Sequence, residues 1–257
     1  MPGESGDITD DAILGGRLRL LQPKRGHRFG HDAILLAAAV PAQSGQRVVE
    51  FGAGVGAASL ALLARVPGID ATLLEIDAEL CDLARRNIAR NGLSASARAV
   101  ALDVTASMQD FSAAGLTSGS CDHVFMNPPF NDTSHQASPD PRRRLAHAGR
   151  AKDLARCIEN AQKILKEEGT VTAIWRADGL DDVTDALRPH FGAMSAITIY
   201  PAPNRPAIRV IVSGIKGSSA PARILPALTL NDDHRRPTTE AETILRHGGT
   251  WPPQPPS

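Results

Sequence analysis

Short apolar runs alternate along the chain with longer segments whose apolar residues recur at helical spacing. The runs predict strands near residues 48–51, 71–76, 98–102, 121–126, 170–175, 193–200 and 207–213. The segments between them predict helices over residues 33–40, 57–65, 78–90, 152–166 and 180–191. Strands that alternate with helices in this way are typical of an α/β fold.

The two ends of the chain differ in composition from its middle, so we divide the chain into three predicted parts. Residues 1–44 are an N-terminal arm and a lid helix, and residues 45–216 are the central domain. Residues 217–257 are a C-terminal extension rich in Pro, Thr and charge. A helix is predicted there at residues 238–245, and the composition of residues 248–257 predicts disorder.

A glycine-rich turn, Glu50-Phe51-Gly52-Ala53-Gly54-Val55-Gly56, is the first chemically informative stretch. Its alternating glycines allow a tight turn and a close approach of the backbone to a ligand, and the following helix offers unpaired N–H groups. Glu50 narrows the choice of ligand, because a carboxylate before the glycines suits a cation better than a pyrophosphate. S-adenosylmethionine carries a sulfonium and an ammonium group. The predicted contacts are Glu50, Gly52, Ala53, Gly54 and Gly56.

Acidic residues end the next two predicted strands. Glu75 lies about twenty residues past the glycines, where the second strand of such a unit offers a carboxylate to ribose hydroxyls. Asp103 ends the third strand and can accept a hydrogen bond from an adenine amino group, although acids also end strands simply as turn formers. Asp77 is predicted to cap the helix that follows Glu75.

A strand that leads into two prolines marks the second informative stretch, Asn127-Pro128-Pro129-Phe130. The prolines end the strand and stiffen the backbone, which fixes an amide beside exposed carbonyls and an aromatic ring. A planar amine fits there, because Asn127 and the Pro128 carbonyl accept its two hydrogens while Phe130 stacks on its plane. A bare tetrapeptide of this kind could be only a rigid turn. Its position after the fourth strand, behind the glycine turn, favours a catalytic role.

Basic residues are concentrated in two segments. The first includes a small hairpin predicted at residues 14–23, and its cations are Arg17, Arg19, Lys24, Arg25 and Arg28. The second lies in a polar segment over residues 131–151, which is too long for an ordinary connection and is predicted to be a substrate loop. Its cations are Arg142, Arg143 and Arg144. Both segments can contact RNA phosphates, and both are equally consistent with solvated loops. The cluster of three arginines could also bind an acidic protein.

Composition limits the classes of function. The 28 Lys and Arg residues balance 28 Asp and Glu residues, which argues against non-specific duplex binding as the main activity. Cys81, Cys121 and Cys157 form no close-spaced pair, so neither a disulfide framework nor a metal site is predicted. The first residues are polar and acidic, and the longest apolar run, residues 33–40, is too short to span a bilayer. We therefore expect a cytoplasmic protein.

The acids at Glu50, Glu75 and Asp103, together with the motif at residues 127–130, resemble the class I S-adenosylmethionine-dependent methyltransferases that methylate exocyclic amino or amide nitrogens. Residues 26–36, Gly-His-Arg-Phe-Gly-His-Asp-Ala-Ile-Leu-Leu, are similar to the opening of bacterial tRNA(Val) adenine-N6-methyltransferases. The resemblance covers roughly residues 14–216.

The resemblance implies a Rossmann-like, seven-stranded, mostly parallel sheet with helices on both faces and a terminal antiparallel strand. It also implies that the three acids contact S-adenosylmethionine and that residues 127–130 are the catalytic motif. Asp32 is implied to lie near the cofactor, whereas its sequence position alone is consistent with a helix N-cap.

Several functional hypotheses remain open from the sequence. The leading one is an adenine N6-methyltransferase acting on tRNA, as a monomer or homodimer. A protein glutamine N5-methyltransferase shares an Asn-Pro-Pro-aromatic motif, but that family usually carries a helical substrate domain where only a short basic arm is expected here. A small-molecule N-methyltransferase fits the neutral charge. A non-catalytic scaffold is the remaining class, and it has no physical need for Glu75 or Asn127.

Overall fold

The computed structural model describes residues 8–25, 28–128 and 141–252, with side chains from residue 152 onward in the last range. The helices are α1 (His31–Ala39), α2 (Ala57–Arg65), α3 (Ala78–Arg90), α4 (Met108–Ala113), α5 (Pro141–Ile164), α6 (Leu180–Leu187) and α7 (Thr239–His247). The strands are β1 (Ile8–Ile13), β2 (Leu18–Pro23), β3 (Arg47–Phe51), β4 (Asp70–Glu75), β5 (Ala97–Ala101), β6 (Cys121–Met126), β7 (Leu165–Arg176), β8 (Phe191–Tyr200), β9 (Arg209–Lys216), β10 (Arg223–Ile224) and β11 (Leu228–Thr229).

One large sheet organises the fold, and its seven longer strands follow the order β5-β4-β3-β6-β7-β9-β8. Neighbouring strands from β5 to β7 are parallel, whereas β9 runs antiparallel to β7 and β8. The predicted α/β fold, with its mostly parallel sheet and terminal antiparallel strand, is confirmed. The strands β10 and β11 pair with β8 and extend this edge. Each has only two residues, too few to show a periodicity in the sequence.

Two apolar clusters cover the two faces of this sheet. On one face, α1 and α2 contribute residues such as Leu36 and Leu60. On the other, α4 and α5 contribute residues such as Phe111 and Ile158. All four of these side chains are fully buried. Because helices cover both faces, the carboxyl ends of the parallel strands are the edge at which a ligand can enter.

Local signals in the sequence placed several elements correctly. The helices α2 and α3 and the strand β6 begin and end at the predicted residues. Asp77 caps α3 as predicted, because its carboxylate accepts hydrogen bonds from the amides of Glu79 and Leu80 at 2.9 and 3.1 Å.

The prediction of a loop over residues 131–151 is wrong for its second half. The helix α5 begins at Pro141 rather than at Lys152, so Arg142, Arg143 and Arg144 belong to a helix and not to a loop. Proline is favoured at the first position of a helix, and the segment that follows is rich in good helix formers. Its polarity concealed the helix, because the apolar periodicity begins only further along. Residues 131–140 lie outside the described part of the chain.

The N-terminal hairpin begins earlier than the sequence predicted. The strand β2 pairs antiparallel with β1, which belongs to the polar stretch before the predicted hairpin. The hairpin docks onto α3 through Asn87, a fully buried residue. The side-chain oxygen of Asn87 accepts from the amide of Leu21 at 2.7 Å, and its amide nitrogen donates to the Leu21 carbonyl at 2.9 Å. The amide side chain thereby satisfies backbone groups that β2 presents to α3.

The C-terminal extension packs against the rest of the protein. The predicted helix is present as α7, capped by the Thr238 hydroxyl. The chain after α7 also differs from the expected disorder, because the amide of Trp251 donates to the carbonyl of Ala38 at 3.0 Å. The indole N–H of Trp251 donates to the carbonyl of Pro226 at 3.0 Å. The first bond holds the segment up to residue 252 against α1, and the second ties it to the stretch between β10 and β11. Residues 253–257 lie outside the described part.

Candidate active site

Three predicted site residues meet at the carboxyl edge of the sheet. The last residue of β3 is level with the last residue of β6 and with the penultimate residue of β4. Gly52 and Asn127 directly follow the last residues of β3 and β6, and they are therefore level with Glu75, the last residue of β4. Because neighbouring strands lie about 4.8 Å apart, the glycine turn and the start of the Asn-Pro-Pro motif are side by side. The structure thus brings together the two stretches that the sequence singled out separately.

The glycine turn has the backbone conformation that its residues predict. Gly52, Gly54 and Gly56 all have positive φ angles, of 70°, 55° and 88°, in the left-handed region that favours glycine. A Cβ at Gly56 would lie 2.9 Å from the Leu73 side chain, so close packing of α2 against the sheet also requires glycine. By contrast, among the described residues no atom other than those of its chain neighbours lies within 4 Å of the Cβ position of Gly52. The turn therefore has open space at Gly52, where a ligand can approach the backbone.

Glu75 bridges the glycine turn and the turn that follows β4. It is 7% exposed, and its Oε2 accepts a hydrogen bond from the amide of Gly54 at 2.7 Å. Its Oε1 accepts from the amide of Asp77 at 2.9 Å. Both carboxylate oxygens are thus oriented by backbone donors, and the end of β4 is held to the turn after β3. The acid predicted to bind ribose therefore has a fixed orientation beside the glycine turn.

Glu50 is buried behind the turn and contacts α2. Its Oε2 accepts hydrogen bonds from the amide and the hydroxyl of Ser59, with the amide at 3.0 Å. Burial raises the pKa of the Glu50 carboxyl to about 8, although the bonds from Ser59 oppose this shift. The sequence did not predict this partner. A cation bound nearby would favour ionisation of this carboxyl through the low local dielectric, without needing to touch it.

The end of β5 and the residue after Glu75 complete the rim. The Asp103 carboxylate accepts hydrogen bonds from the amide and the hydroxyl of Thr105, both at 2.8 Å, so it does serve as a turn former. Ile76 was not among the predicted site residues, and its side chain is 67% exposed directly after β4. A large apolar side chain exposed at a ligand-binding edge is a signal for a flat apolar ligand group. It could have been found in the sequence as the last apolar residue of the strand, immediately beyond its acid.

The predicted catalytic motif is described for its first two residues. Asn127 and Pro128 follow β6 directly and are half-buried. Pro129 and Phe130 lie outside the described residues, so the stacking role of Phe130 stays a prediction.

Asp32 contacts a basic residue rather than the glycine turn. It lies in the first turn of α1, and the N-cap of this helix is Gly30, so the alternative role as a cap is wrong. Its Oδ2 accepts from Arg209 Nε at 2.7 Å. This ion pair joins α1 to the beginning of β9. The implied position of Asp32 near the cofactor stays a prediction.

The cations of the N-terminal arm mostly contact groups within the protein. Arg19 pairs with Asp10 at 2.9 Å, and Arg28 pairs with Asp11 at 3.1 Å. The hydrogen bond from Arg19 contributes most to holding the pKa of Asp10 below its ordinary value. Arg25 is exposed. The arm therefore presents less uncompensated positive charge than the sequence predicted.

Within the ranges that the structure covers, other classes of site have no support. No helix there is long and apolar enough to cross a bilayer. No three or more His, Cys, Asp and Glu side chains are grouped so that they could hold a metal ion. His123, which lies towards the opposite edge of the sheet, is 5% exposed and has both ring nitrogens in hydrogen bonds, to Thr170 and Gln46.

Comparisons with known proteins agree with this geometry. A tRNA1(Val) (adenine(37)-N6)-methyltransferase of Parabacteroides distasonis is 25% identical over 187 residues, which cover 72% of this chain and 75% of that protein. A release factor glutamine methyltransferase of Chlorobaculum tepidum is 24% identical, covering 65% of this chain and 58% of that protein. The crystal structure of a predicted O-methyltransferase from Agrobacterium tumefaciens aligns with a TM-score of 0.72 and 27% identity, covering 86% of this chain and 98% of that one.

A family model identifies the family to which the chain belongs. The model of the methyltransferase small domain matches residues 28–199, more than half of the chain. This range contains the glycine turn, both acids of the rim and the Asn-Pro-Pro motif. The open, glycine-lined turn and the oriented Glu75 carboxylate fit the cofactor of such enzymes. The chain therefore belongs to the methyltransferase small domain family and is an S-adenosylmethionine-dependent methyltransferase.

Proposed function

We propose that this protein methylates an exocyclic amino group, and that its substrate is adenine N6 in a tRNA. The adjacency of Gly52 and Asn127 at the carboxyl edge carries this proposal. It places the amide that can orient an amine one strand away from the turn that would hold the methyl donor. The distance between neighbouring strands, about 4.8 Å, is short enough for a base amine between them to contact both.

The residues around the glycine turn account for binding of the cofactor. Glu75 would accept hydrogen bonds from ribose hydroxyls, and its present bonds to backbone amides keep it correctly oriented. Asp103 would accept from the adenine amino group, while Ile76 would cover one face of the ring. The positive charge of the cofactor would favour ionisation of the buried Glu50 carboxyl. When bound, S-adenosylmethionine supplies an electrophilic methyl group.

Asn127 and Pro128 would orient the target amine. The Asn127 side-chain oxygen and the Pro128 carbonyl accept its two hydrogens, which directs the nitrogen lone pair towards the cofactor turn. The same bonds stabilise the positive charge that develops on the nitrogen. A strong general base is not required, because the product ammonium is acidic. This agrees with the engagement of His123 in a structural hydrogen-bond network away from this edge.

The choice of tRNA rests on the relatives rather than on surface charge. The N6-adenine enzyme of P. distasonis is aligned over three quarters of its length, whereas the alignment to the glutamine methyltransferase covers 58% of that enzyme. The specific support for the glutamine alternative is the compensated charge of the N-terminal arm, since a peptide acceptor does not need an uncompensated cationic surface. We therefore keep the release factor type of substrate as the second candidate.

Transfer of labelled methyl groups separates the candidates. The protein would be incubated with labelled S-adenosylmethionine and, separately, with total RNA, total protein and metabolites from a strain that lacks it. We expect label in the tRNA fraction, recovered as N6-methyladenosine after digestion to nucleosides. Label in protein as methylglutamine would replace the proposal with the second candidate, and label only in metabolites would exclude both.

A further inference from the structure

Two arginines lie directly opposite each other where β7 and β9 reach the active-site edge. Arg176 and Arg209 are register partners in this antiparallel pair, so their side chains lie on the same face of the sheet. The Cβ atoms of such a pair are typically about 5 Å apart, and like charges at that distance repel. Two cations opposite each other do not stabilise the pairing of β7 with β9. Their placement therefore suggests a binding role.

The arginine pair faces the side of the sheet on which the substrate would lie. Ile174 belongs to the apolar cluster beneath α1, and Arg176 is two residues further along, on the same face. The last residue of β6 is level with Ala173, so Asn127 is level with Ile174. Arg176 is therefore one strand across from Asn127 and roughly 7 Å further towards the edge. This spacing matches a group next to the target base rather than the base itself.

The two arginines are held with different firmness. Arg209 donates from Nε to Asp32 at 2.7 Å and from Nη1 to the carbonyl of Ile208 at 2.9 Å, which fixes its guanidinium. Arg176 has an acidic neighbour in Asp178, but the distance from Nε to Oδ1 is 3.4 Å and the Asp178 side chain is 62% exposed. Such an exposed pair contributes little to stability and is easily exchanged for a better anion.

We infer that Arg176 and Arg209 bind a phosphate of the RNA substrate next to the target nucleotide. This inference rests on the proposed function. Guanidinium groups match phosphate oxygens in a planar fork, and Arg is the side chain best suited to this contact. The phosphate replaces the Asp178 carboxylate on Arg176, while Asp32 keeps Arg209 in place. Displacement of the exposed Asp178 carboxylate leaves one positive charge of the pair to be compensated by the phosphate.

Kinetics with tRNA test this assignment. Arg176→Gln should raise the KM for tRNA about tenfold and lower the slope of its salt dependence by about one unit, with the KM for S-adenosylmethionine unchanged. Asp178→Asn should do the opposite and lower the KM for tRNA, because it removes the competing carboxylate. Arg188→Gln is the matched control. Arg188 also pairs with an exposed aspartate, Asp185, at 3.4 Å, but it lies just after the last residue of α6 and is not part of the arginine pair.

The outcomes separate this inference from the proposed function. If the wild-type protein methylates tRNA and Arg176→Gln behaves like Arg188→Gln, the phosphate contact is wrong and the proposed function stands. If the wild-type protein labels no RNA, both are wrong. Arg176→Lys guards against a folding defect, because it keeps the charge and should retain the salt slope while losing part of the affinity. Loss of the salt slope in the Lys variant would also overturn the inference.

Discussion

The carboxylate of Glu75 accepts a hydrogen bond from the backbone amide of Gly54 at 2.7 Å, which joins the acid at the end of β4 to the glycine turn after β3. The residue expected to bind ribose therefore also holds the turn in shape. A ligand that meets this edge finds both groups already positioned, which lowers the ordering cost of binding.

Glu75→Ala should consequently weaken binding of S-adenosylmethionine by more than a single surface contact would. The expected loss is about 1–3 kcal/mol, since charge-assisted hydrogen bonds to ribose are removed and the Gly54 amide loses its acceptor. Glu75→Gln should lose less, because its amide oxygen can still accept one bond. Titration calorimetry measures both variants, and wild-type affinity in Glu75→Ala would remove this residue from the cofactor site.

Glu50 predicts a pH dependence of cofactor binding. Its pKa is raised from 4.5 to about 8 by burial, so the carboxyl is mostly protonated at pH 7. A bound cation favours the carboxylate, and binding at pH 7 must then release a proton. Affinity for S-adenosylmethionine should rise by up to about tenfold between pH 7 and pH 9, given one pKa unit to overcome.

Comparison with Glu50→Gln isolates this effect from titration of the ligand itself. The variant keeps the shape of the side chain and cannot ionise, so its affinity should change less over the same pH range. Equal pH profiles for the two proteins would show that Glu50 is not linked to cofactor binding.

His123 predicts a loss of stability in acid. Burial lowers its pKa from 6.5 to about 4, and its ring lies between Thr170 Oγ1 at 2.6 Å and Gln46 Oε1 at 2.8 Å. Below pH 6.5 the unfolded chain takes up a proton that the folded protein rejects. The stability that His123 contributes is therefore fully present above pH 6.5 and is lost progressively as the pH falls from 6.5 to about 4.

Urea unfolding at pH 6.5 and pH 5 measures this contribution. Between these values the wild-type protein should lose about 2 kcal/mol more than His123→Gln, according to the free energy of about 1.4 kcal/mol per pKa unit. The variant is less stable overall, so the comparison concerns the change with pH within each protein. An equal change in both would mean that His123 is protonated without penalty.

Arg17 illustrates a residue whose role the sequence could not reveal. Its place in the basic N-terminal segment predicts a possible phosphate contact. In the structure its Nη1 donates to the carbonyl of His247 at 2.9 Å and its Nη2 to the carbonyl of Ala64 at 3.0 Å. The guanidinium thus caps the last turns of α7 and α2, two helices that are far apart in the chain.

Arg17→Ala should therefore lower stability by about 1–2 kcal/mol and leave the salt dependence of RNA methylation unchanged. Thermal unfolding and the salt series provide the two readouts. Arg25→Ala, at an exposed position of the same arm, is the control for stability. A reduced salt slope in Arg17→Ala, with normal stability, would restore the phosphate role.

The residues that the sequence placed correctly act locally. Asp77 caps the helix that begins at the next residue, and the three glycines of the turn need their positive φ angles whatever lies further away. Such effects depend on neighbours within a few residues, and the sequence displays them directly. The register that sets Asn127 beside Gly52 is not a local effect of this kind, because it depends on pairing between strands that are far apart in the chain.

What the sequence could not predict depends on partners far along the chain. Asp32 meets Arg209, and Trp251 meets Ala38, across separations that leave no periodic signal. The charge of the arm was likewise misjudged, because Asp10 and Asp11 come to face its arginines only after β1 pairs with β2. Composition counts charges, whereas pairing depends on the fold.

Single-turnover methylation by Asn127→Ala tests the central claim most directly. The substitution removes the side-chain acceptor for the target amine and leaves the glycine turn, Glu75 and the acids of the rim in place. With purified tRNA and saturating S-adenosylmethionine, formation of N6-methyladenosine should fall by a factor of about 10²–10³, while calorimetry shows unchanged affinity for the cofactor. Methylation at the wild-type rate by this variant would contradict both the amine-orienting role of Asn127 and the reaction proposed for this protein.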